Sequence, residues 1–138
     1  MNTQHLTLRL LPDVLAVCRL DHGAEVPWWA TVAPFFSVTR TTHELSIVCA
    51  ASRVPRGTNA TYDWRAMQLH GQFHHQLTGI MVALAKPLAE ADVSILPIAT
   101  FDTDYILVRE PQLERAMEAL RAAGHRVLRE QPGAPVGP

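Results

Sequence analysis

Two short segments of the sequence combine residue types that could hold a small charged ligand. The first is Gln76-Leu77-Thr78-Gly79, which precedes an apolar run with helical spacing. Backbone N–H groups in the first turn of a helix lack partners within the helix, so Thr78 and Gly79 would present donors to a carboxylate. A glycine at this point also has a purely structural explanation, because it lets a helix approach a sheet closely.

The second segment is Asp102-Thr103-Asp104, between two runs that are almost entirely apolar. Asp102 is typical of a turn, where its carboxylate accepts hydrogen bonds from the local backbone. Asp104 precedes Tyr-Ile-Leu-Val and would stand at the start of a strand, where its carboxylate could meet the cation of a ligand. A solvated turn residue is equally compatible with this spacing.

The rest of the chain shows no catalytic or metal-binding motif. It has no G-x-S-x-G elbow, no phosphate-binding lysine loop, no dinucleotide fingerprint and no zinc-ligand spacing. His70, His74 and His75 are close in sequence, but no carboxylate or cysteine joins them at a recurring spacing, which favours solvated loop histidines. Cys18 and Cys49 lie in apolar runs and are expected to be buried thiols. We therefore expect a non-enzymatic protein without metal or cofactor.

Composition limits the class of protein further. The chain has 138 residues, of which 48% are apolar and 18% are charged, with a formal net charge of −1. This predicts one ordinary domain or two very small ones that share a core. The balanced charge argues against binding to nucleic acid or to an anionic membrane. The N-terminal residues lack a signal-peptide pattern and no apolar run reaches membrane-spanning length, so a cytoplasmic location is expected.

Strand patterns dominate the first half of the chain. Leu6–Leu11 and Val14–Leu20 are predicted to be two strands joined by a tight turn at Pro12-Asp13. Phe35–Thr39 and Glu44–Val48 are expected to form a second hairpin.

Two further segments separate the strands from the second half. Pro27-Trp28-Trp29-Ala30 is predicted to form a short helical turn, since proline fits the first helical position. Ala51–Asp63 is rich in small and polar residues and is expected to be an exposed linker.

The second half alternates strand and helix patterns in the order β-α-β-β-α-β. Apolar residues spaced three and four apart mark both helices, and β-branched or aromatic runs mark the strands. A single antiparallel sheet with both helices on one face is the arrangement that this order predicts. The elements are Trp64–Leu69, His75–Asp92 with Pro87 inside it, Val93–Phe101, Tyr105–Val108, a helix opened by Pro111 and ended by Gly124, and His125–Leu128.

Four stretches of this sequence resemble the ACT domains, and more narrowly the bacterial two-ACT-domain proteins related to the CASTOR-type arginine sensors. The stretches are Leu6–Arg19, Phe35–Val48, Leu77–Leu88 and Ala91–Glu110. The resemblance implies an α+β fold with tandem ACT domains of ferredoxin-like βαββαβ type, antiparallel sheets and a shortened N-terminal copy. It implies an N-terminal ACT-like subdomain and linker over 1–62, a C-terminal ACT domain over 63–130 and a disordered tail over 131–138.

The resemblance also implies a binding site for an amino acid at the seam between two paired ACT domains. A single copy of this chain would need a homodimer to build that seam. The strand after the first helix would contribute from one domain, and the helix start with the strand-end turn would contribute from the facing domain. The implied ligand-binding residues are Thr78, Gly79, Ser94, Ile95, Thr100, Phe101 and Asp104.

One departure from the family pattern bears on this site. The glycine-rich approach to the helix is replaced here by the bulky residues of Gln72–Gln76, which could narrow or fill the pocket. The leading hypothesis is a regulatory module that binds an amino acid and acts on a protein partner. The alternative is a ligand-free protein–protein interaction module built on an ACT pair, which exposed side chains at Trp28 and Trp29 would favour.

Overall fold

The computed structural model of the chain describes residues 5–70 and 79–129. Within these ranges no helix is long and apolar enough to cross a membrane. The strands are β1 (Thr7–Leu20), β2 (Ser37–Arg40), β3 (Leu45–Ala50), β4 (Ala60–Leu69), β5 (Leu96–Ala99), β6 (Asp104–Arg109) and β7 (Arg126–Arg129), and the α-helices are α1 (Ile80–Glu90) and α2 (Leu113–Ala122). Short 3-10 helices cover Trp28–Thr31, Ala51–Arg53 and Glu110–Gln112.

The described residues form two compact units. Residues 13–64 form one, called here the β unit, and residues 5–12 with 65–129 form the other, called here the α+β unit. The α+β unit therefore includes residues 5–12, which lie outside the 63–130 range expected for a C-terminal domain. Strands β1 and β4 each contribute residues to both units.

The α+β unit has the predicted element order β4-α1-β5-β6-α2-β7, which confirms the ferredoxin-like pattern. Its strands lie in the order β7-β1-β4-β6-β5. The start of β1 is thus inserted between the first and last strands of the pattern, and Thr7–Leu10 pair in parallel with Arg126–Arg129. β5 and β6 form an antiparallel hairpin, with Ala99 opposite Asp104.

The helices of the α+β unit bury the faces that their spacing predicted. Apolar side chains three and four residues apart on each helix pack with those of the sheet into one cluster. Complete burial of a side chain as large as leucine stabilises a fold by roughly 1.5–3 kcal/mol, so this cluster is the main support of the unit. Its members include Leu8, Leu10, Met67, Leu69, Ile80, Leu84, Leu88, Ile106, Val108, Leu113, Met117 and Leu120.

The β unit is built from the second part of β1, the β2–β3 hairpin and the first part of β4, in the order β2-β3-β1-β4. The hairpin prediction is confirmed, with Ser37–Arg40 antiparallel to Leu45–Val48. All of residues 13–64 are described, and they contain no α-helix. The predicted helical turn is present as a 3-10 helix that begins at Trp28, directly after Pro27.

The two cysteines lie in the core of the β unit, as predicted. Cys18 and Cys49 are free thiols with at most 1% of their surface exposed. Cys18 is opposite Ile47, and Cys49 is opposite Ala16, so the two thiols are diagonal neighbours on one face of the β1–β3 pair. A hydrogen bond between the thiols raises the pKa of Cys18, and burial raises it further.

Two predictions in the first half of the chain are wrong. β1 runs without a turn through Pro12-Asp13, and β4 begins at Ala60, inside the predicted linker. Pro12 lies between the part of β1 that pairs with β7, Thr7–Leu10, and the part that pairs with β3, Leu15–Leu20. The missing N–H of proline is therefore tolerated in an extended strand.

The second half differs from the prediction in its boundaries. β5 begins at Leu96, so Ser94 and Ile95 precede the strand that was expected to contain them. α1 continues through Pro87 to Glu90, while the expected helical residues from 75 to 78 and the expected tail over 131–138 lie outside the described residues. α2 ends before Gly124, as predicted.

Candidate functional site

A buried hydroxyl joins the β5–β6 turn to the end of β4. Thr103 is 8% exposed, and its Oγ1 donates a 2.9 Å hydrogen bond to the carbonyl oxygen of Leu69, the last residue of β4. The next residue, His70, donates its backbone N–H to the carbonyl of Thr7 over 2.8 Å. The turn that carries the predicted site residues is therefore fixed to the point where the chain leaves the sheet towards α1.

Thr100 closes this turn through three hydrogen bonds with Thr103. Its backbone N–H donates to the carbonyl of Thr103 over 2.8 Å, and its hydroxyl donates to the same carbonyl over 3.0 Å. The hydroxyl also accepts the backbone N–H of Thr103 over 3.2 Å. The Thr100 hydroxyl has thereby used its proton and one lone pair, and one acceptor position is left for a further donor.

Phe101 lies within this turn, and Asp104 follows it. Phe101 is 76% exposed, which is unusual for a phenylalanine. Asp104 is half-buried at the start of β6, and no side chain or backbone group in the described part of the chain forms an ion pair or hydrogen bond with its carboxylate. The adjacent Tyr105 is also half-buried, and burial raises the pKa of its phenol.

Gly79 provides the other predicted element of the site, the start of α1. Its φ of 83° lies in the left-handed region, which glycine adopts without strain. A glycine cannot cap the helix with a side chain, and its carbonyl accepts the N–H of Ala83 over 2.8 Å. Among the described residues no side chain caps the first turn, whose backbone donors could therefore bind an anion. Thr78 lies outside the described residues.

These elements share one end of the α+β unit. The bond between Thr103 and Leu69 places the end of β5 beside the end of β4. Because α1 follows β4 and leads back towards β5, its first turn begins at this same end. Gly79, Thr100, Phe101 and Asp104 are therefore grouped at one end of the unit. We call this group the Gly79–Asp104 end.

Ser94 and Ile95 lie at the opposite end. They follow the last turn of α1, where the N–H of Val93 donates to the carbonyl of Leu88 over 2.9 Å. The 11 residues of α1 span about 16 Å. Ser94 is exposed, while Ile95 is half-buried against the core of the unit. One copy of the α+β unit thus does not bring the two predicted halves of the site together.

Most of the predicted histidine cluster lies outside the residues that the structure describes. His70 is exposed at the end of β4, and His74 and His75 lie among the residues from 71 to 78 that are not described. Among residues 5–70 and 79–129 there is no group of three histidine, cysteine or acidic side chains placed to hold a metal ion.

Sequence reasoning missed the role of Thr103. Its position between two aspartates indicated a turn, but its partner Leu69 is 34 residues away. A threonine in place of the usual glycine or asparagine of a turn is the only local signal of a buried hydroxyl there.

Two family models match the chain. A family model of the ACT domain matches residues 59–122, and a second model, of an N-terminal domain, matches residues 13–57. Residues 59–122 are therefore an ACT domain, and the chain is related to the CASTOR-type sensors.

Two relatives of known name match part of the sequence. Over 60 residues, 44% of this chain, the sequence is 42% identical to cytosolic arginine sensor for mTORC1 subunit 1 of Rattus norvegicus and of Mus musculus. The match spans only 18% of the length of these sensors. Both are therefore much longer than the region that they share with this chain.

Solved structures resemble nearly the whole chain. A protein from Agobacterium tumefaciens is 34% identical with a TM-score of 0.88, covering 93% of this chain and 96% of its own. A protein from Vibrio cholerae, 21% identical, has a TM-score of 0.72 with coverages of 88% and 92%. The regulatory subunit of aspartate kinase from Thermus thermophilus, 10% identical, has a TM-score of 0.60 with coverages of 84% and 96%. The last two show a shared fold.

Proposed function

We propose that this protein is a non-enzymatic regulatory module that binds an amino acid at the seam between two ACT domains of a homodimer. The observation that carries the proposal is the grouping of the α1 start and the Asp104 carboxylate at one end of the α+β unit, fixed by the bond between Thr103 and Leu69. One end thus offers both backbone donors and a carboxylate.

The chemistry of this end is complementary to an amino acid. Helix-start N–H groups after Gly79 suit the α-carboxylate of the ligand. The carboxylate of Asp104 suits an ammonium or guanidinium group, and a charge-assisted hydrogen bond of this kind contributes roughly 1.5–3 kcal/mol. The exposed ring of Phe101 can cover the aliphatic part of the ligand side chain.

The separation of the two predicted halves supports the proposal of a homodimer. Ser94 and Ile95 lie beyond the far end of α1, about 16 Å from its first turn. A second copy of the chain would bring its own Ser94 and Ile95 to the Gly79–Asp104 end. The names of two relatives, an arginine sensor and the regulatory subunit of aspartate kinase, are in keeping with a regulatory role.

Regulation would act through the population of two arrangements of the dimer. A ligand that bridges the seam stabilises the bridged arrangement in proportion to its differential affinity. A protein partner that recognises only one arrangement would then respond to the concentration of the amino acid.

Thermal unfolding against each of the twenty amino acids at millimolar concentration tests the proposal. A ligand at about 100 times its Kd adds about 2.7 kcal/mol to the free energy of unfolding, which raises Tm by roughly 5–10 °C in a domain of this size. We expect one selective shift, which Asp104→Asn abolishes and Glu118→Gln leaves intact. Glu118 is an exposed residue of α2, so the control removes the same charge elsewhere.

Two outcomes would contradict this proposal. Twenty unchanged melting temperatures would exclude amino-acid binding in the millimolar range, and an unchanged shift in Asp104→Asn would exclude the assigned site. Sedimentation equilibrium adds an independent check, because a protein that stays monomeric at every concentration with saturating ligand cannot form the seam.

The alternative, a ligand-free interaction module, has one observation in its favour. Trp28 is 72% exposed at the start of a 3-10 helix, whereas Trp29 beside it is 9% exposed and belongs to the core of the β unit. An exposed tryptophan is a frequent anchor of protein interfaces. Binding of a purified partner that Trp28→Ser abolishes and amino acids do not change would support this alternative.

A further inference from the structure

His125 is buried, and backbone groups occupy both of its ring nitrogens. It is 5% exposed and directly precedes β7. The backbone N–H of Leu6 donates to Nδ1 over 3.1 Å, and the carbonyl oxygen of Ala83 lies 3.0 Å from Nε2. Because the first partner is a donor and the second an acceptor, Nδ1 must be unprotonated and Nε2 must carry the proton. These contacts therefore require a neutral imidazole.

Pro87 explains why the carbonyl of Ala83 is available. In an α-helix this carbonyl would accept the N–H of the residue four positions later, and that residue is Pro87, which has none. The Nε2–H of His125 supplies the missing donor from outside the helix. A proline inside α1 and a histidine before β7 thus form one complementary pair.

The same histidine is connected to the Gly79–Asp104 end through a single residue, Ala83. The residue whose carbonyl it binds, Ala83, donates its own N–H to the carbonyl of Gly79 over 2.8 Å. His125 therefore fixes the second turn of α1, and that turn fixes the residue at which the helix begins.

Backbone bonds hold the ring in place. The carbonyl of Leu6 accepts the N–H of Arg126 over 2.8 Å, and the N–H of His125 donates to the carbonyl of Leu120 over 3.0 Å. The segment before β1, α1, the end of α2 and β7 thus meet at residue 125. Its side chain links two groups that are distant in sequence, at Leu6 and Ala83.

No acidic group in the described part of the chain hydrogen-bonds to this imidazole. The charged side chains close in sequence to these contacts are His5, Lys86, Glu90, Glu118, Arg121 and Arg126, and all six are exposed. None of them forms a hydrogen bond or an ion pair with the ring among the described residues. A proton on Nδ1 would point at the N–H of Leu6, and that hydrogen bond would be replaced by two opposed donors.

We propose that His125 is a positioning residue for the amino-acid site, which holds the start of α1 while its ring is neutral and releases it on protonation. Ligand affinity then falls when the ring takes up a proton, because Nδ1 can no longer accept the N–H of Leu6. The ligand part of this inference rests on the proposed function, whereas the change in α1 does not.

Nuclear magnetic resonance of the ligand-free protein tests the change in α1 directly. At about pH 7.5 we expect the ring of His125 in the neutral form with the proton on Nε2. On acidification the amide signals of Gly79 and Ala83 should move with the same midpoint as the His125 ring. A charged ring or a proton on Nδ1 at about pH 7.5, or a titration that leaves both amides unmoved, would overturn the proposal.

Two substitutions separate the two hydrogen bonds. His125→Gln keeps a donor that can reach the carbonyl of Ala83 but does not titrate, so its affinity for the amino acid should be independent of pH between about 5 and 8. His125→Asn keeps an acceptor for Leu6 but is too short to reach Ala83, so its affinity should be about tenfold weaker at every pH, the equivalent of one hydrogen bond. The wild type should weaken by a similar factor on acidification.

A control variant and two different negative results separate the positioning role of His125 from the proposed function. His22→Gln removes an exposed histidine of the β unit and should keep the pH profile of the wild type. A flat profile in the wild type, or an unchanged slope in His125→Gln, would refute the positioning role. Absence of binding by the wild type at about pH 7.5 would instead refute the proposed function, and the resonance titration would still decide the behaviour of α1.

Discussion

The imidazole of His5 occupies the space that a side chain on residue 124 would need. A Cβ atom built on Gly124 would lie 2.6 Å from two atoms of the His5 ring, and the φ of Gly124 is 99°. The Nδ1 of His5 lies 2.9 Å from the carbonyl oxygen of Gly124, which keeps the ring over this position. Both the backbone conformation and the local packing therefore require glycine after α2.

We predict that Gly124→Ala lowers the free energy of unfolding by about 2–4 kcal/mol, of which the positive φ accounts for about 1–2 kcal/mol and the overlap for the rest. In a protein that already carries His5→Ala, the substitution Gly124→Ala should lower the free energy of unfolding by less, because no ring then overlaps the new methyl group. Urea unfolding of the four proteins measures this cycle. A coupling energy of zero would mean that the His5 ring moves aside freely.

The buried hydroxyl of Thr103 gives a second prediction. Thr103→Val keeps the shape of the side chain but leaves the carbonyl of Leu69 without its donor, which should cost about 1–3 kcal/mol. Thr103→Ser keeps the hydroxyl and is the matched control, expected to retain most of the stability. If both variants unfold at the same urea concentration, the bond to Leu69 makes no net contribution.

The partial burial of Tyr105 leads us to expect a lower free energy of unfolding at high pH. Burial raises the pKa of this phenol, so the folded protein holds the proton to a higher pH than the unfolded chain does. The folded state therefore binds more protons above about pH 10, and the free energy of unfolding falls as the pH rises through this range. Below about pH 10 the phenol of Tyr105 is protonated in both the folded and the unfolded state, so its full contribution to the free energy of unfolding is present.

Tyr105→Phe should remove this component of the alkaline decline, whereas Tyr62→Phe, at a 38% exposed position, should keep it. Chemical denaturation at a series of alkaline pH values measures the difference. Identical declines in the wild type and Tyr105→Phe would show that the phenol is not responsible.

The cysteine pair predicts an unreactive folded protein. The burial of both thiols keeps either thiolate out of contact with a reagent in solvent. A chromogenic disulfide reagent should therefore release no colour from the native protein at about pH 8 and should report both thiols once denaturant is added. Rapid reaction of one thiol in the native protein would contradict the structure.

The sequence predicted the elements whose signals are local. Apolar residues three and four apart gave both helices, and alternation gave the β-α-β-β-α-β order of the second half. The turn at Pro12-Asp13 was predicted wrongly because proline ends a strand only where a neighbouring strand needs its N–H. The strands that lie beside β1 are β3, β4 and β7, which are formed by residues distant from Pro12 in sequence.

The candidate site shows the same limit. The turn chemistry of Thr100–Asp104 and the glycine at the start of α1 are visible in sequence. The bond between Thr103 and Leu69 spans 34 residues, and the contact between His125 and Ala83 spans 42. Nothing near His125 in sequence indicates that a proline on another element has left a carbonyl without its donor.

The parallel pairing of Thr7–Leu10 with Arg126–Arg129 has a consequence for how the chain folds. Leu6 and His125 are separated by 119 residues, and the segment between β4 and β7 in the sheet is synthesised before every other described strand. On the ribosome this segment must wait for all residues between Leu10 and Arg126 before its partner emerges. Closure of so long a loop is expected to limit the folding rate, and early-made β1 needs protection from other exposed edges until β7 arrives.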